Sequence, residues 1–167
     1  VLVRDSEIGF RVRGPTSTRP VGAHVRLENT VLTDLDAGIR FEDNIEVLTV
    51  LYTTFGKGIH NPFVEVGSTS TTPEIKNSLF TDTGLPTIAS EAQGNRAASE
   101  ADYLDADARN HRLVETSGAI DAGIPIDGIA TDYDNLDRWI GDAPDAGAFE
   151  FGQEVIEDTG GTQDTGE

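Results

Sequence analysis

Asn29-Thr30-Val31-Leu32-Thr33-Asp34 recurs further along the chain as Asn77-Ser78-Leu79-Phe80-Thr81-Asp82. Both copies read Asn, a hydroxyl residue, two apolar residues, Thr and Asp. Between them, Thr49-Val50-Leu51-Tyr52-Thr53-Thr54 fits the frame loosely and stands somewhat closer to the first copy than to the second. A weaker copy, Asp5-Ser6-Glu7-Ile8, precedes Asn29 by a similar interval. Repetition of this kind marks an architecture in which each unit buries its apolar face only against its neighbours.

The flanking residues agree. Val25-Arg26-Leu27-Glu28-Asn29 alternates with period two, as a half-buried strand does. A second short strand opened by glycine follows two of the copies, Gly9-Phe10-Arg11-Val12 and Gly38-Ile39-Arg40-Phe41. Insertions then fall in similar phase, Gly14–Pro20 and His60–Thr72. Strand, turn, strand and variable loop predict a solenoid of stacked parallel strands ~4.8 Å apart. On this reading Asn29, Thr49 and Asn77 share one column, with Asn side chains bonding from one turn of the chain to the next. A β-sandwich is the rival, but it needs tight Asn-Gly or Asp-Gly hairpins between the strands, and none stands at the right places. The solenoid is preferred.

Composition sets the outer limits. At 167 residues the chain holds one domain with a real core. The 18 Gly and 7 Pro favour many short strands over long helices. With 30 acidic against 12 basic residues, the formal charge is -18, which speaks against nucleic acid and anionic membrane surfaces as partners. Absence of Cys excludes disulfides and thiolate chemistry, and no apolar run approaches the ~20 residues of a membrane span. The chain starts in strand-like Val1-Leu2-Val3 with no Met, so it is read as part of a longer protein whose targeting signal lies upstream.

Beyond residue 84 the pattern changes. Ala89–Arg96 is polar and loop-like, Ala97–Leu104 suits one helical turn or a last irregular repeat, and Asn110–Leu113 reads as a short strand. Two tight turns follow, Ser117-Gly118-Ala119-Ile120-Asp121-Ala122-Gly123 and Asp145-Ala146-Gly147-Ala148-Phe149-Glu150. The acidic, low-complexity residues 153–167 predict a disordered linker or tail. The expected organisation is residues 1–94 as repeats, 95–152 as the last repeat with a capping module, and 153–167 as tail.

The region from Asn95 to Phe151 resembles the C-terminal segment of bacterial extracellular right-handed parallel β-helix proteins, the pectate-lyase-like group. The resemblance rests on Asp102-Tyr103-Leu104, Asn110–Leu113, Ser117–Gly123, Asp132–Arg138 and Asp145–Glu150. It departs where Gly118 replaces the usual Pro, where Tyr103 follows Asp102 directly, and where Ala146 replaces a larger apolar residue. The resemblance implies an all-β, right-handed parallel β-helix, monomeric as a full-length protein, in an extracellular or cell-surface setting. It implies no activity, because such folds carry many functions.

Four groups of residues are candidates for chemistry. Asp121, Asp145 and Glu150 have the makings of a paired-carboxylate site, but acids among Ala and Gly are read first as acceptors for backbone N–H groups, with Arg138 bridging two of them. Asp132, Asp134 and Asp137 are spaced for a hard cation such as Ca²⁺, without the central Gly and closing Glu of an EF-hand. Arg40, Lys57 and His60 are the cationic candidates for a lyase, which must neutralise a uronate carboxylate. Tyr52, Phe55, Phe63 and Tyr133 are candidate sugar-stacking surfaces, and His111 is read as packing or capping. The two tight turns are expected to close the open end of the solenoid, with Ile120 and Phe149 pointing inward. The function expected is a structural or carbohydrate-binding segment of a surface protein with no catalytic site in these residues. The alternative is a fragment of a lyase or glycoside hydrolase acting on an acidic polysaccharide.

Overall fold

The structure, a computed structural model, describes residues 1–18, 20–42, 45–67 and 71–152. The expected tail, 153–167, lies outside the described residues. The strands are β1 (Leu2–Val12), β2 (His24–Glu42), β3 (Val47–Phe55), β4 (Ile59–Val66), β5 (Glu74–Lys76), β6 (Leu79–Thr81), β7 (Arg96–Ala98), β8 (Tyr103–Asp105) and β9 (Asn110–Leu113). Two single 3-10 turns, Glu91–Gln93 and Glu100–Asp102, interrupt them, and the described residues contain no α-helix. Strands β1–β7 form one sheet with parallel pairing throughout, and β8 and β9 form a small antiparallel pair.

Each parallel strand lies beside one a fairly constant distance further along the chain. Leu2 is opposite Val31, His24 opposite Val47, Leu35 opposite Ile59 and Thr54 opposite Leu79, so paired strands are separated by similar lengths of chain. The last pair is shorter, with Leu79 opposite Arg96. Besides β1, strand β2 serves two further neighbours: residues 24–32 pair with β3 and residues 35–42 with β4. Left-handed residues between and within these runs explain the change of partner. Asn29 has φ 46° and Asp34 φ 53°, followed in register by Tyr52 at 48° and Asn77 at 50°. A single residue in this region bends a strand without opening a gap in its ladder, and Asn and Asp adopt it at least cost after Gly.

The register corrects three expectations. Tyr52, not Thr49, stands between Asn29 and Asn77, because Thr49 lies opposite Arg26. The copy at Asp5 matches Asp34, since Arg4 is opposite Thr33 and Ser6 opposite Leu35. His60–Thr72 is not an insertion from its start, because Ile59–Val66 is strand β4. The cause is the same each time: the left-handed corner sets the phase, and a Tyr held there by its surroundings carries no Asn signature. Arg11 does lie opposite Arg40, as the repeat predicts.

One core fills the inner side of the sheet. Leu32, Phe55 and Phe80 are in register and wholly buried, and the Phe55 and Phe80 rings stack at 4.8 Å. Leu35, Ile39, Phe41, Leu48 and Val50 extend it, and half-buried Leu85 and Ala89 pack against it from the loop before the first 3-10 turn.

The adjacent outward residues are buried too. Val31, Thr54 and Leu79 form the neighbouring column, and the chain beyond residue 103 covers them. Leu79 packs with Tyr103, Leu113, Ala119 and Ala146, while Val31 packs with Ala148 and Phe149. The two tight turns therefore lie along the flank of the ladder, which corrects the expectation that they close its end. Phe149 and half-buried Ile120 do face apolar partners, but those partners are on the flank.

Buried hydroxyls that follow the left-handed residues are satisfied by a second ladder. Thr30, Thr53 and Ser78 each donate a hydroxyl to the carbonyl two residues back, at 3.0, 3.3 and 3.1 Å. The Thr53 N–H donates to Ser78 Oγ, and the Ser78 N–H to Asn95 Oδ1. Buried hydroxyls are tolerated only when so paired.

Candidate functional site

The corner column carries most of the chemistry that joins the two parts of the chain. Asn77 Nδ2 donates to Ile124 O at 2.7 Å and the Ile124 N–H returns to Asn77 Oδ1 at 2.8 Å. Tyr52 donates its hydroxyl to the same carbonyl at 3.2 Å. Asn29 Nδ2 donates to Thr131 O at 2.8 Å, and the Ala148 N–H to Thr54 Oγ1 at 2.9 Å. Asn29 and Asn77 thus bond outward to a later segment and not to each other, because Tyr52 separates them and a left-handed corner turns each side chain off the ladder.

Arg138 is the centre of the junction. Its guanidinium carbon lies 4.2 Å above the Tyr52 ring centre, and its side chain is 3% exposed. Nη1 donates to Gly147 O at 3.1 Å, and Nη2 to Ala148 O at 2.8 Å and Asn29 Oδ1 at 2.6 Å. Glu150 is 3.9 Å away and equally buried. A planar, always-charged group that caps carbonyls and stacks on an aromatic face is the task Arg suits and Lys does not. Desolvation lowers the Arg138 pKa, opposed by Asp132 and Glu150.

The acids around it accept backbone N–H groups. Asp145 accepts from Asp121 at 2.8 Å and Phe151 at 2.7 Å. Glu150 accepts from Asp145 at 3.0 Å and Ile140 at 3.3 Å. Asp121 accepts from Ala143 at 2.9 Å. Asp132 accepts from Asp134, Leu136 and Glu150. Burial pushes Asp145 upward and Glu150 up to about 7, against these bonds.

Asp132, Asp134 and Asp137 do not gather as ion ligands. Asp132 is buried on backbone donors, whereas Asp134 takes both Nε and Nη2 of Arg112 at 2.8 Å. Asp137 is exposed on another cleft. Among the described residues no group of three or more His or acidic side chains is placed to hold a metal ion.

The cationic candidates are also apart. Lys57 bonds Glu100 at 2.9 Å and Asp107, and these bonds, Asp107 first, raise its pKa. His60 is exposed, 3.6 Å from Asp36. Arg40 lies opposite Val64, which stands further along β4 than His60, ~13 Å away at strand spacing. Its Nε is buried without a hydrogen-bond partner among the described residues. The spacing of these three in sequence brings them to different surfaces.

Asp137 lies instead in an open cleft. The cleft has a volume of about 430 Å³, with Tyr52, Arg138 and Pro144 among its lining residues and the segment 125–130 along one side. Trp139, the only tryptophan, lines it with 54% of its surface exposed. Asp127 and Asp137, both exposed, also line it. Of the aromatic residues proposed from sequence, Tyr52 and Phe55 are buried, Phe63 packs on Phe55 at 5.1 Å, and Tyr133 packs on Phe149 at 5.0 Å. Sequence reasoning missed Trp139. The signal was a lone Trp among polar residues, Asn135-Leu136-Asp137-Arg138-Trp139, where no apolar periodicity asks for one.

The chain matches no protein-family model, and comparison with curated proteins and with solved structures returns no match.

Proposed function

We propose that these residues are the C-terminal part of a right-handed parallel β-helix in a secreted or cell-surface protein, serving as a structural and carbohydrate-binding segment without a catalytic site of its own. The observation that carries this reading is that every candidate carboxylate near the tight turns is committed to backbone. Asp121, Asp132, Asp145 and Glu150 accept N–H groups, and the last three are at most 7% exposed. A glycosidase pair must face a substrate across open space, and a lyase needs a base beside free cations. Asp121, Asp132, Asp145 and Glu150 make neither arrangement.

Parallel strands at near-constant offsets, bent at left-handed corners in register, support the helical solenoid over an open sheet. Right-handedness follows from the strong preference of parallel crossovers for that hand. The outer edge of β1 supports further turns of the same kind. Among the described residues no strand pairs there, and Val3, Ile8 and Phe10 are only half-buried where their partners Leu32, Ala37 and Ile39 are buried. Another strand stacked on this edge would complete their burial.

Two assays test the function. A glycan array of neutral and acidic polysaccharides should give binding. Incubation with uronate polymers should release neither unsaturated products nor new reducing ends. Sustained product release that is lost with Arg40→Ala, Lys57→Ala, Asp121→Asn or Glu150→Gln in a folded protein would sink the non-catalytic reading.

A further inference from the structure

We propose that the cleft between residues 125–130 and Trp139 is a binding site for a neutral sugar ring, with Trp139 as the stacking platform and Asp127 as a hydroxyl acceptor. This rests on the carbohydrate-binding reading above and sharpens it to a place and a class of glycan.

The cavity comes first. At about 430 Å³ it lies within the range of small-molecule sites, and residues already fixed for other reasons build it. Tyr52 is held by its corner and by Ile124 O, and Arg138 by two carbonyls and Asn29. A floor made of such residues does not collapse when the cleft is empty. The walls add Ile126 and Ile129, half-buried and apolar.

The lining chemistry then selects the ligand. A large aromatic side chain more than half exposed leaves apolar surface in water, and covering it with an apolar ligand face is favourable. A pyranose ring offers such a surface, because its axial C–H groups form an apolar face while its hydroxyls project from the rim. Ionised carboxylates are acceptor-only, with about four lone-pair sites each, which suits hydroxyl pairs. Indole Nε1–H adds a donor.

Charge narrows the class further. Among the described residues the only cation lining the cleft is Arg138, whose side chain is 3% exposed and whose Nη atoms are bonded to the protein. A uronate or sulfated sugar here would meet the exposed carboxylate of Asp127 with the Arg138 charge withdrawn from the surface, on a chain of net charge -18. The cleft therefore favours a neutral glycan over the acidic polymers that cationic lyase clefts take.

Because Trp139 is the sole tryptophan, tryptophan emission excited selectively over tyrosine reports on this cleft alone. The chain is titrated with neutral gluco-, manno- and xylo-oligosaccharides and, in parallel, with oligogalacturonate. A saturable emission change with at least one neutral series is expected, with oligogalacturonate silent. By calorimetry Trp139→Ala should weaken that binding about tenfold or more, and Trp139→Tyr should recover most of it. Both variants are at an exposed position, and thermal melting checks that they fold. If the neutral glycans bind with unchanged emission and Trp139→Ala binds equally well, the protein binds glycans elsewhere and this site is wrong. If only oligogalacturonate shifts the emission, the neutral class is wrong. If the array and every titration are blank, the glycan-binding reading fails and this inference with it.

Discussion

Strand β2 contains two regions of opposite character on either side of Asn29. Before it, His24, Arg26 and Glu28 are exposed while Leu27 is buried, the alternation of a sheet with one wet face. After it, Thr30, Val31, Leu32 and Thr33 are all buried. The difference is due to what lies outside the strand. Residues 24–28 have solvent on their outer side, whereas residues 30–33 have the segment that begins at the β8–β9 pair. Polar residues in a strand therefore do not by themselves mark a wet face. Where the cover is protein, Thr and Ser persist because β-branched or small hydroxyl side chains fit a strand and can satisfy themselves on a nearby carbonyl.

That contrast can be broken most directly at Arg138. Arg138→Ala removes the buried cation that faces Asp132, Asp145 and Glu150 and leaves the carbonyls of Gly147 and Ala148 uncapped. The expected loss is about 3–5 kcal/mol, read from urea denaturation. Hydrogen exchange should speed up at Thr53, Thr54 and Ser78 while Leu27 and Leu48 change little. Uniform acceleration across both regions would mean that the flank and the ladder are one cooperative unit.

The corner column gives a middle-sized effect. Asn77→Ala loses two hydrogen bonds to Ile124 and puts a Cβ-bearing residue that cannot bond locally at φ 50°. A cost of about 3 kcal/mol is expected, from roughly 1 kcal/mol per hydrogen bond and about 1–2 kcal/mol for the left-handed backbone. Asn77→Gly relieves the backbone and keeps the bond loss, so it should cost about 1 kcal/mol less. Equal melting of the two variants would show that backbone conformation at the corner carries no part of the cost.

His111 tests the cover through pH. It is 1% exposed against Gly56 and Tyr103, with Nδ1 on Arg109 O and Nε2 buried without a partner among the described residues. Burial lowers its pKa from 6.5, so its contribution to stability is present above 6.5 and is lost as pH falls through the depressed folded value. Glu150 runs the other way, because burial raises it from 4.5 to about 7, and its contribution is full below 4.5 and is lost as pH rises through about 7. The comparison to make is wild type against His111→Phe between pH 8 and 5, each pH read as Tm. The wild type should lose ground to the variant on the acid side, and a constant difference would remove His111 from the account.

The smallest change is expected at Lys57. Its bonds to Glu100 and Asp107 join exposed carboxylates in water, where ion pairs contribute little. Lys57→Ala should leave the melting temperature and glycan binding unaltered, and a marked drop in either would make it part of the junction.

Much of the ladder was legible because it depends on local rules. The Asn29 and Asn77 copies announced two positions of one column, though not that both are left-handed, and the Gly9 and Gly38 strands announced the Arg11–Arg40 register. Tyr52 and Asp5 were misphased because a corner is a backbone conformation, and residues other than Asn adopt it when neighbours hold them. The cleft was largely illegible. Tyr52 and Trp139 stand far apart in sequence, and only the return of the chain along the flank sets them in one cavity. The same holds for Arg109, which reaches back to Asp34 at 2.8 Å and Asp5 at 2.6 Å.

Taken by itself, the sequence determined the all-β class, the parallel stacking and the acid-rich tight turns, since periodicity, turn residues and charge act over a few neighbouring positions. Tertiary structure alone decided that those turns lie along the flank, which backbone groups their carboxylates hold, and that Trp139 is left in an open cleft. Burial is a property of what lies on the other side of a residue, and no local pattern carries that.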